Sequence, residues 1–174
     1  MILPGRIALA RGLVTGLRCQ KTQVQPCGID LSLKHVLMLN SPGAIDFDNT
    51  HRRAAKSTRM QFHQHDDADE SAHTASSIEL AQGVYLVEFN ELVNMPRDIM
   101  GELFVRSSLF RSGAQIHAGV MDSGYHGVIG AMLKVENPAG IRLYRNARLA
   151  QMVFRTLLEA TEGYSGQYQG QSSM

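Results

Sequence analysis

The chain has 174 residues, 44% of them hydrophobic and 19% charged, with a formal net charge of +1. That is enough apolar material for one ordinary domain with a real core, and so near-neutral a balance argues against a protein built mainly to hold nucleic acid, while leaving room for a local basic pocket. Two cysteines, Cys19 and Cys27, are too few for a disulfide framework or a zinc site. No apolar stretch reaches the roughly 20 residues of a membrane span, and so few cysteines point to a reducing compartment, the cytoplasm, as the expected setting.

In chain order, residues 1–18 read as a short helix broken near Gly12, with Ile2, Leu3, Ile7, Leu9, Leu13, Val14 and Leu17 forming an apolar face for packing on a domain. Arg6, Arg11, Arg18 and Lys21 without a single acid in residues 1–29 also fit a transit peptide, the less favoured reading. Residues 28–39 begin by alternating, with Ile29, Leu31 and Leu33 on one side and Asp30, Ser32 and Lys34 on the other, which predicts a half-buried strand. Residues 50–77 carry few aliphatics and dense polar groups, as a long exposed loop does. Its cluster of His63, His65, Asp66, Asp67, Asp69, Glu70 and His73 has metal-ligand chemistry, but without apolar anchors a solvated loop is the simpler reading. Short apolar runs follow at 83–89, 101–105, 114–121, 128–135, 141–144 and 149–157, most of them separated by Gly, Pro, Asn or Asp. Such spacing predicts an all-β barrel or sandwich in one domain spanning 1–174. Pro96 and Pro138 fall between runs, where proline belongs. Met95, Met100, Met121, Met132 and Met152 read as core filler. The tail, residues 163–174, has no aliphatic before its final Met and is expected to be mobile.

Two polar clusters close apolar runs. One is Arg106-Ser107-Ser108, where a guanidinium and two hydroxyls suit a phosphate chain. The other is Asp122-Ser123-Gly124-Tyr125-His126-Gly127, which offers one carboxylate to activate a water and one aromatic three residues on. Together they indicate an enzyme acting on a nucleotide. Taken alone, Asp122 is also a common turn former before Ser-Gly.

Five segments, QPCGIDLSL (25–33), NMPRDIMGELFVRSSLFRSG (94–113), HAGVMDSGYHG (117–127), ARLAQMVF (147–154) and YSGQYQGQ (164–171), stand in the order found in the dUTPase and dCTP deaminase superfamily, which the chain resembles over most of its length outside 50–77. The N-terminal segment and the tail look more like the deaminase-type branch, including its dUTPase-like members. The resemblance implies a distorted β-barrel, a homotrimer with active sites at subunit interfaces, and a deoxynucleotide substrate carrying Mg²⁺ on its triphosphate. Deaminases of this kind have a glutamate ten residues after the aspartate of the third motif, where this chain has Met132, which cannot transfer a proton. Glu136 lies four residues further, roughly 13 Å along a strand.

The favoured activity is therefore hydrolysis of dUTP to dUMP and diphosphate. The alternatives are dCTP deamination, alone or combined, and a nucleotide-binding paralogue without catalysis. By the same resemblance Asp122 is the general base and Tyr125 packs on the deoxyribose and excludes a 2′-hydroxyl. Arg106, Ser107 and Ser108 hold phosphate oxygens, and Arg111 reaches a phosphate or braces a neighbouring subunit. Gln151 holds the base or the Asp122 region, and Tyr164, Gln167, Tyr168 and Gln171 close over the triphosphate. Asp30 stands near the metal-bound phosphates through water, or is a buried structural carboxylate. Gln167 replaces a lysine common in deaminase-type relatives, and the tail lacks the Gly-rich arginine motif of standard dUTPases, which puts its closing role in question.

Overall fold

Apolar residues two apart, bounded by Gly, Pro and Asn, favour strand over helix, and the computed structural model, which describes residues 1–64 and 76–173, is mainly β. The elements run β1 (Ile2–Leu3), α1 (Gly5–Ala10), β2 (Val14–Thr15), α2 (Gln20–Gln23), β3 (Val24–Gln25), β4 (Gly28–Leu39), β5 (Ser57–Arg59) and β6 (Ser77–Leu80). After them come β7 (Gly83–Asn94), β8 (Ile99–Val105), α3 (Ser107–Phe110), β9 (Ala114–His117), β10 (His126–Val135), β11 (Ile141–Tyr144) and β12 (Arg148–Thr156). One large antiparallel sheet has the order β1-β12-β4-β7-β10-β9, with β2 on β7, β3 and β5 on β4, and β8 on β12; β11 and β6 form a separate pair. The large sheet curls as a half-barrel until β8 meets the segment after β9. There Gly101 N–H donates to Met121 C=O and Met121 N–H to Gly101 C=O, both at 2.9 Å.

Register decides which side chains face the core. Val36 pairs with Val87 and Val87 with Ala131, and all three are buried. The neighbouring row, Leu37–Leu86–Met132–His117, points to the opposite face by the two-residue period of a strand. Phe89, Phe154, Ile99 and Leu133 are fully enclosed in the core. Among the described residues no helix is long and apolar enough to cross a membrane.

Four expectations change. The N-terminal helix over 1–18 shrinks to α1, because Gly12 turns the chain at φ +68° and Val14 then pairs with Val93 of β7. The strand at 28–39 forms at the predicted bounds, but its first six residues are buried on both faces because α1 and α2 pack over it. Asp30 and Ser32 are therefore enclosed, not exposed, and Ser32 is satisfied by the buried Glu91 carboxylate, which accepts from its N–H at 2.9 Å and its hydroxyl at 2.6 Å. Within 50–77 the described residues are not a plain loop. β5 pairs with the end of β4, Arg53 bridges Ala44, and His63 bridges Ser77, which is fully buried. His65, Asp66, Asp67, Asp69, Glu70 and His73 lie outside the described residues. Finally, the tail through residue 173 is not free: backbone and amide hydrogen bonds, described below, hold it on the turn at 122–128.

Candidate active site

The turn at 122–127 starts from a fixed point, because Met121 is bridged to β8. Tyr125 N–H donates to the Asp122 carbonyl at 3.2 Å, and Gly124 N–H to the Met95 carbonyl at 3.1 Å. The backbone of Asp122, not its carboxylate, closes the turn. The side chain is exposed to the adjoining cavity, and among the described residues no hydrogen bond or ion pair holds it. Gly124 has φ +78°, and a Cβ there would sit 2.7 Å from Gly163 Cα, so only glycine permits the tail to lie this close.

The tail docks by polar bonds. Tyr164 N–H donates to Ser123 C=O at 2.7 Å, Gly170 N–H to His126 C=O at 2.9 Å, and Val128 N–H to Gln171 C=O at 3.1 Å. The Gln169 side chain bridges the turn, donating to Gly124 C=O at 2.9 Å and accepting from His126 N–H at 3.1 Å. This docking brings Tyr164 edge-on to Tyr125, with ring centroids 5.5 Å apart. The Tyr125 ring is 7% exposed and its hydroxyl donates to Val128 C=O at 2.7 Å; burial pushes the phenol above its ordinary pKa.

Between these parts lies a cavity of about 490 Å³. Leu37 and Leu86 lie in its floor, from neighbouring positions on β4 and β7. Met121, Val128 and Gly130 line it too, as do Ala54 and Ala55, from the chain leading into β5, and Ser57, its first residue. Asp122, Tyr125, Tyr164, Tyr168 and Gln171 complete it. Five of the residues picked from sequence thus share one apolar-walled cavity with one carboxylate.

The remaining picks lie elsewhere. Arg106 follows β8 directly, and its guanidinium is tied on two sides, with Nε 2.9 Å from Asp30 Oδ2 and Nη1 donating to Arg148 C=O at 3.0 Å. Asp30 is 2% exposed and also accepts from Arg148 Nη1 at 3.1 Å. Burial raises the Asp30 carboxyl above its ordinary pKa, and Arg106 and Arg148 offset that only in part. A site against two guanidiniums does not fit a further cation, so Asp30 is a structural carboxylate here. Among the described residues no group of three His, Cys, Asp or Glu is placed to hold a metal. Ser107, Ser108 and Arg111 are exposed on α3 and just after it. Gln151 sits in β12 opposite Asp30 and Phe104, away from the cavity lining. Gln167 is exposed, and its carbonyl accepts from Gln171 Nε2 at 3.2 Å. Gly101, paired near Asp122, and Arg106 are five residues apart along β8, roughly 16 Å of strand.

Sequence reasoning missed the wall of Ala54, Ala55 and Ser57 and the floor of Leu37 and Leu86. Nothing in a polar stretch marks it as a cavity wall; the only signal was the continuation of β4 past the core, which needs a partner strand. Arg148, the second guanidinium on Asp30, carried no signal beyond its place in the ARLAQMVF segment.

Fold and site together describe a curled β-sheet whose third-motif turn carries an unpaired carboxylate into a tyrosine-lined cavity. Residues 6–157 match the dCTP deaminase-like family, and the chain belongs to it. Among curated proteins it is 40% identical over 154 residues to a probable deoxyuridine 5'-triphosphate nucleotidohydrolase of Methanosarcina mazei, covering 88% of this chain and 84% of that one. It is 41% identical, with the same coverage of 88% and 84%, to a probable deoxyuridine 5'-triphosphate nucleotidohydrolase of Methanosarcina acetivorans. Among solved structures it is similar to the 2'-deoxycytidine 5'-triphosphate deaminase of Agrobacterium tumefaciens, with a TM-score of 0.61 at 20% identity over 89% of this chain. This chain spans about half of that deaminase, 48% of its length.

Proposed function

We propose that the protein is a dUTP diphosphatase that converts dUTP and water to dUMP and diphosphate. The observation that carries this reading is the cavity in which the free Asp122 carboxylate shares walls with Tyr125, Tyr164 and Tyr168. Relatives at 40% and 41% identity, named for hydrolysis of deoxyuridine triphosphate, support the same substrate. Asp122 takes a proton from a water whose oxygen attacks the α-phosphorus. The bond from that phosphorus to the oxygen bridging to the β-phosphate breaks, and diphosphate leaves with the electron pair. Tyr125, its ring fixed by the bond to Val128, faces the sugar.

The phosphate chain needs more than this cavity offers. Ser107, Ser108 and Arg111 form the phosphate clasp, with Arg106 bracing it against Asp30. Because the clasp lies a strand's length from Asp122, it serves the cavity of a neighbouring copy, and the working unit is a homotrimer with shared sites. Gln151 supports the clasp side from β12, and Gln167 contributes from the tail rim. Mg²⁺ arrives on the triphosphate, for which phosphate oxygens are hard ligands. The cytoplasm is the setting we propose, in keeping with free Cys19 and Cys27.

Deamination is disfavoured. Met132 pairs with Leu86 and His117 in the middle of β10, and the next carboxylate along the chain, Glu136, is at the surface, engaged by Lys134 at 2.7 Å and Gln115 at 3.1 Å. The test is incubation with dUTP and with dCTP under Mg²⁺, following diphosphate and ammonia separately. Diphosphate from dUTP and no ammonia from dCTP is expected. Ammonia from dCTP at a comparable rate would overturn the assignment, and tight binding with neither product would leave a non-catalytic paralogue.

A further inference from the structure

Beyond the strands of the core, the chain builds an arm against the cavity. β5 pairs with the end of β4, and the chain between the two strands folds back on itself. Asn40 N–H donates to Lys56 C=O at 2.9 Å, Lys56 N–H to Ser41 Oγ at 2.8 Å, and Ala44 and Arg53 exchange both backbone bonds, at 2.8 and 2.9 Å. The returning limb supplies Ala54, Ala55 and Ser57 to the cavity wall. Two residues before Ala54, at the tip of the arm, stands Arg52. Its guanidinium carbon lies 5.5 Å from the centroid of the Tyr168 ring, and Tyr168 lines the same cavity from the tail. Only one of its N–H groups is engaged among the described residues, Nη1 donating to Asn49 Oδ1 at 3.3 Å.

The charge of the cavity makes this position informative. Among the described residues that line it there is no lysine or arginine, and there is one carboxylate, Asp122. A triphosphate brought beside that carboxylate meets repulsion from its own chain. A cation at the rim offsets it, and a guanidinium suits the purpose: its face rests on an aromatic ring while its edge presents several donors to phosphate oxygens. The stack on Tyr168 orders the side chain before ligand arrives, which lowers the entropy cost of each bond it then makes.

We propose that Arg52 is a polyphosphate-binding residue of this cavity, held in place by Tyr168 and reaching the β- or γ-phosphate of the bound nucleotide. The inference rests on the nucleotide reading above and adds a cation supplied in cis by the arm at 40–56. It also gives the docked tail a task, since the tail supplies the surface on which the guanidinium rests.

Calorimetric titration of the full chain with α,β-imido-dUTP, a poorly hydrolysed triphosphate, and with dUMP tests it. The variants are Arg52→Gln, Arg52→Lys and, as a charge-matched control on the same arm, Arg53→Gln. Arg52→Gln is expected to weaken the triphosphate analogue about tenfold while dUMP changes by less than about twofold. Arg52→Lys keeps part of the affinity, having charge without the planar fork, and Arg53→Gln binds as the parent does. Parent-like binding of the analogue by Arg52→Gln, equal losses for analogue and dUMP, or an equal loss in Arg53→Gln would overturn the assignment of Arg52. A parent that binds neither probe would instead sink the nucleotide reading, and this inference with it.

Discussion

The turns at 106–111 and 122–127 look alike in sequence, each a polar cluster ending an apolar run, yet the fold gives them opposite surroundings. At the first, the arginine is bound to a buried carboxylate and a carbonyl, and the hydroxyls that follow face outward. At the second, the carboxylate is the group left free, and the aromatic beside it is locked in place. One turn is therefore a braced platform with cationic and hydroxyl groups at the surface, and the other is a reactive group in an apolar hollow. A substrate that is both a polyanion and the target of a water needs both, and one chain holds them apart along β8. That contrast is the physical ground for the shared site we propose.

The contrast breaks most sharply at Asp122. Asp122→Asn keeps the shape and removes the base, so turnover is expected to fall about 10²–10⁴-fold while binding of α,β-imido-dUTP persists. Steady-state rates and calorimetry together check this, and unchanged turnover would return Asp122 to the role of turn former.

Tyr125 comes next. Tyr125→Ala is expected to narrow the preference for dUTP over UTP by about one to two powers of ten, because a 2′-hydroxyl no longer meets the ring; the figure follows from a cost of about 1–3 kcal/mol for an unpaired buried polar group. The ring is nearly enclosed, so Ala also loosens the core, and Tyr125→Phe separates the effects. Phe should keep the preference and lose about 1 kcal/mol of stability with the bond to Val128. Equal selectivity in all three proteins, measured as kcat/KM ratios, would show that another group reads the sugar.

At the platform the expectation is smaller and different in kind. The folded pKa of Asp30 is raised, so its contribution to stability is present in full below the ordinary carboxyl value and is lost as pH rises through the folded one. At neutral pH the buried charge is thus no net source of stability, as desolvation often dictates for enclosed ion pairs. Asp30→Asn removes that cost but leaves the part-buried Arg106 and Arg148 without their carboxylate, so the unfolding free energy should fall by no more than about 3 kcal/mol. Its effect should appear as a raised KM for dUTP, because Arg106 no longer has its carboxylate and the clasp loosens. A large stability loss with KM unchanged would reverse that view.

The same face of β4 gives the smallest effect. His35 is held below its ordinary pKa of 6.5, mainly by desolvation and then by Arg59; Lys34 and Arg145 add to this, and Glu88 opposes it. A depressed histidine contributes stability that is present above about pH 6.5 and is lost as pH falls through the folded value. Stability should therefore decline below that pH by no more than about 1.4 kcal/mol per unit, and His35→Gln should flatten the slope in denaturant melts at stepped pH.

Much of the frame was legible because strands betray themselves by alternation. β4 and β11 formed at the bounds read from sequence, and β8, β10 and β12 within two residues of theirs. What escaped were contacts that alternation does not encode. Ser57, Thr58 and Arg59 have no apolar side to show, and they are a strand only because the end of β4 offers unpaired backbone. The tail has no aliphatic anchor, and backbone and Gln169 bonds to a glycine-containing turn order it instead. Asp30 read either as a group near the phosphates or as a buried carboxylate, but alternation could not name its partners, Arg106 and Arg148, which lie 76 and 118 positions later. Within the candidate site, Asp122, Tyr125 and the tail tyrosines were readable because a motif marks them, whereas the arm wall was not.

Complementation tests the shared site most directly. Asp122→Asn has a sound clasp and no base; Arg111→Ala has a sound base and a damaged clasp. Each variant alone should be nearly inactive. Unfolded together in equal amounts and refolded, they should recover dUTP hydrolysis, with about one site in four combining the intact parts of two copies if assembly is random. Recovery to that level is what the account predicts; a mixture no more active than its components, from assemblies shown by light scattering to be mixed, would mean that each chain carries its site alone.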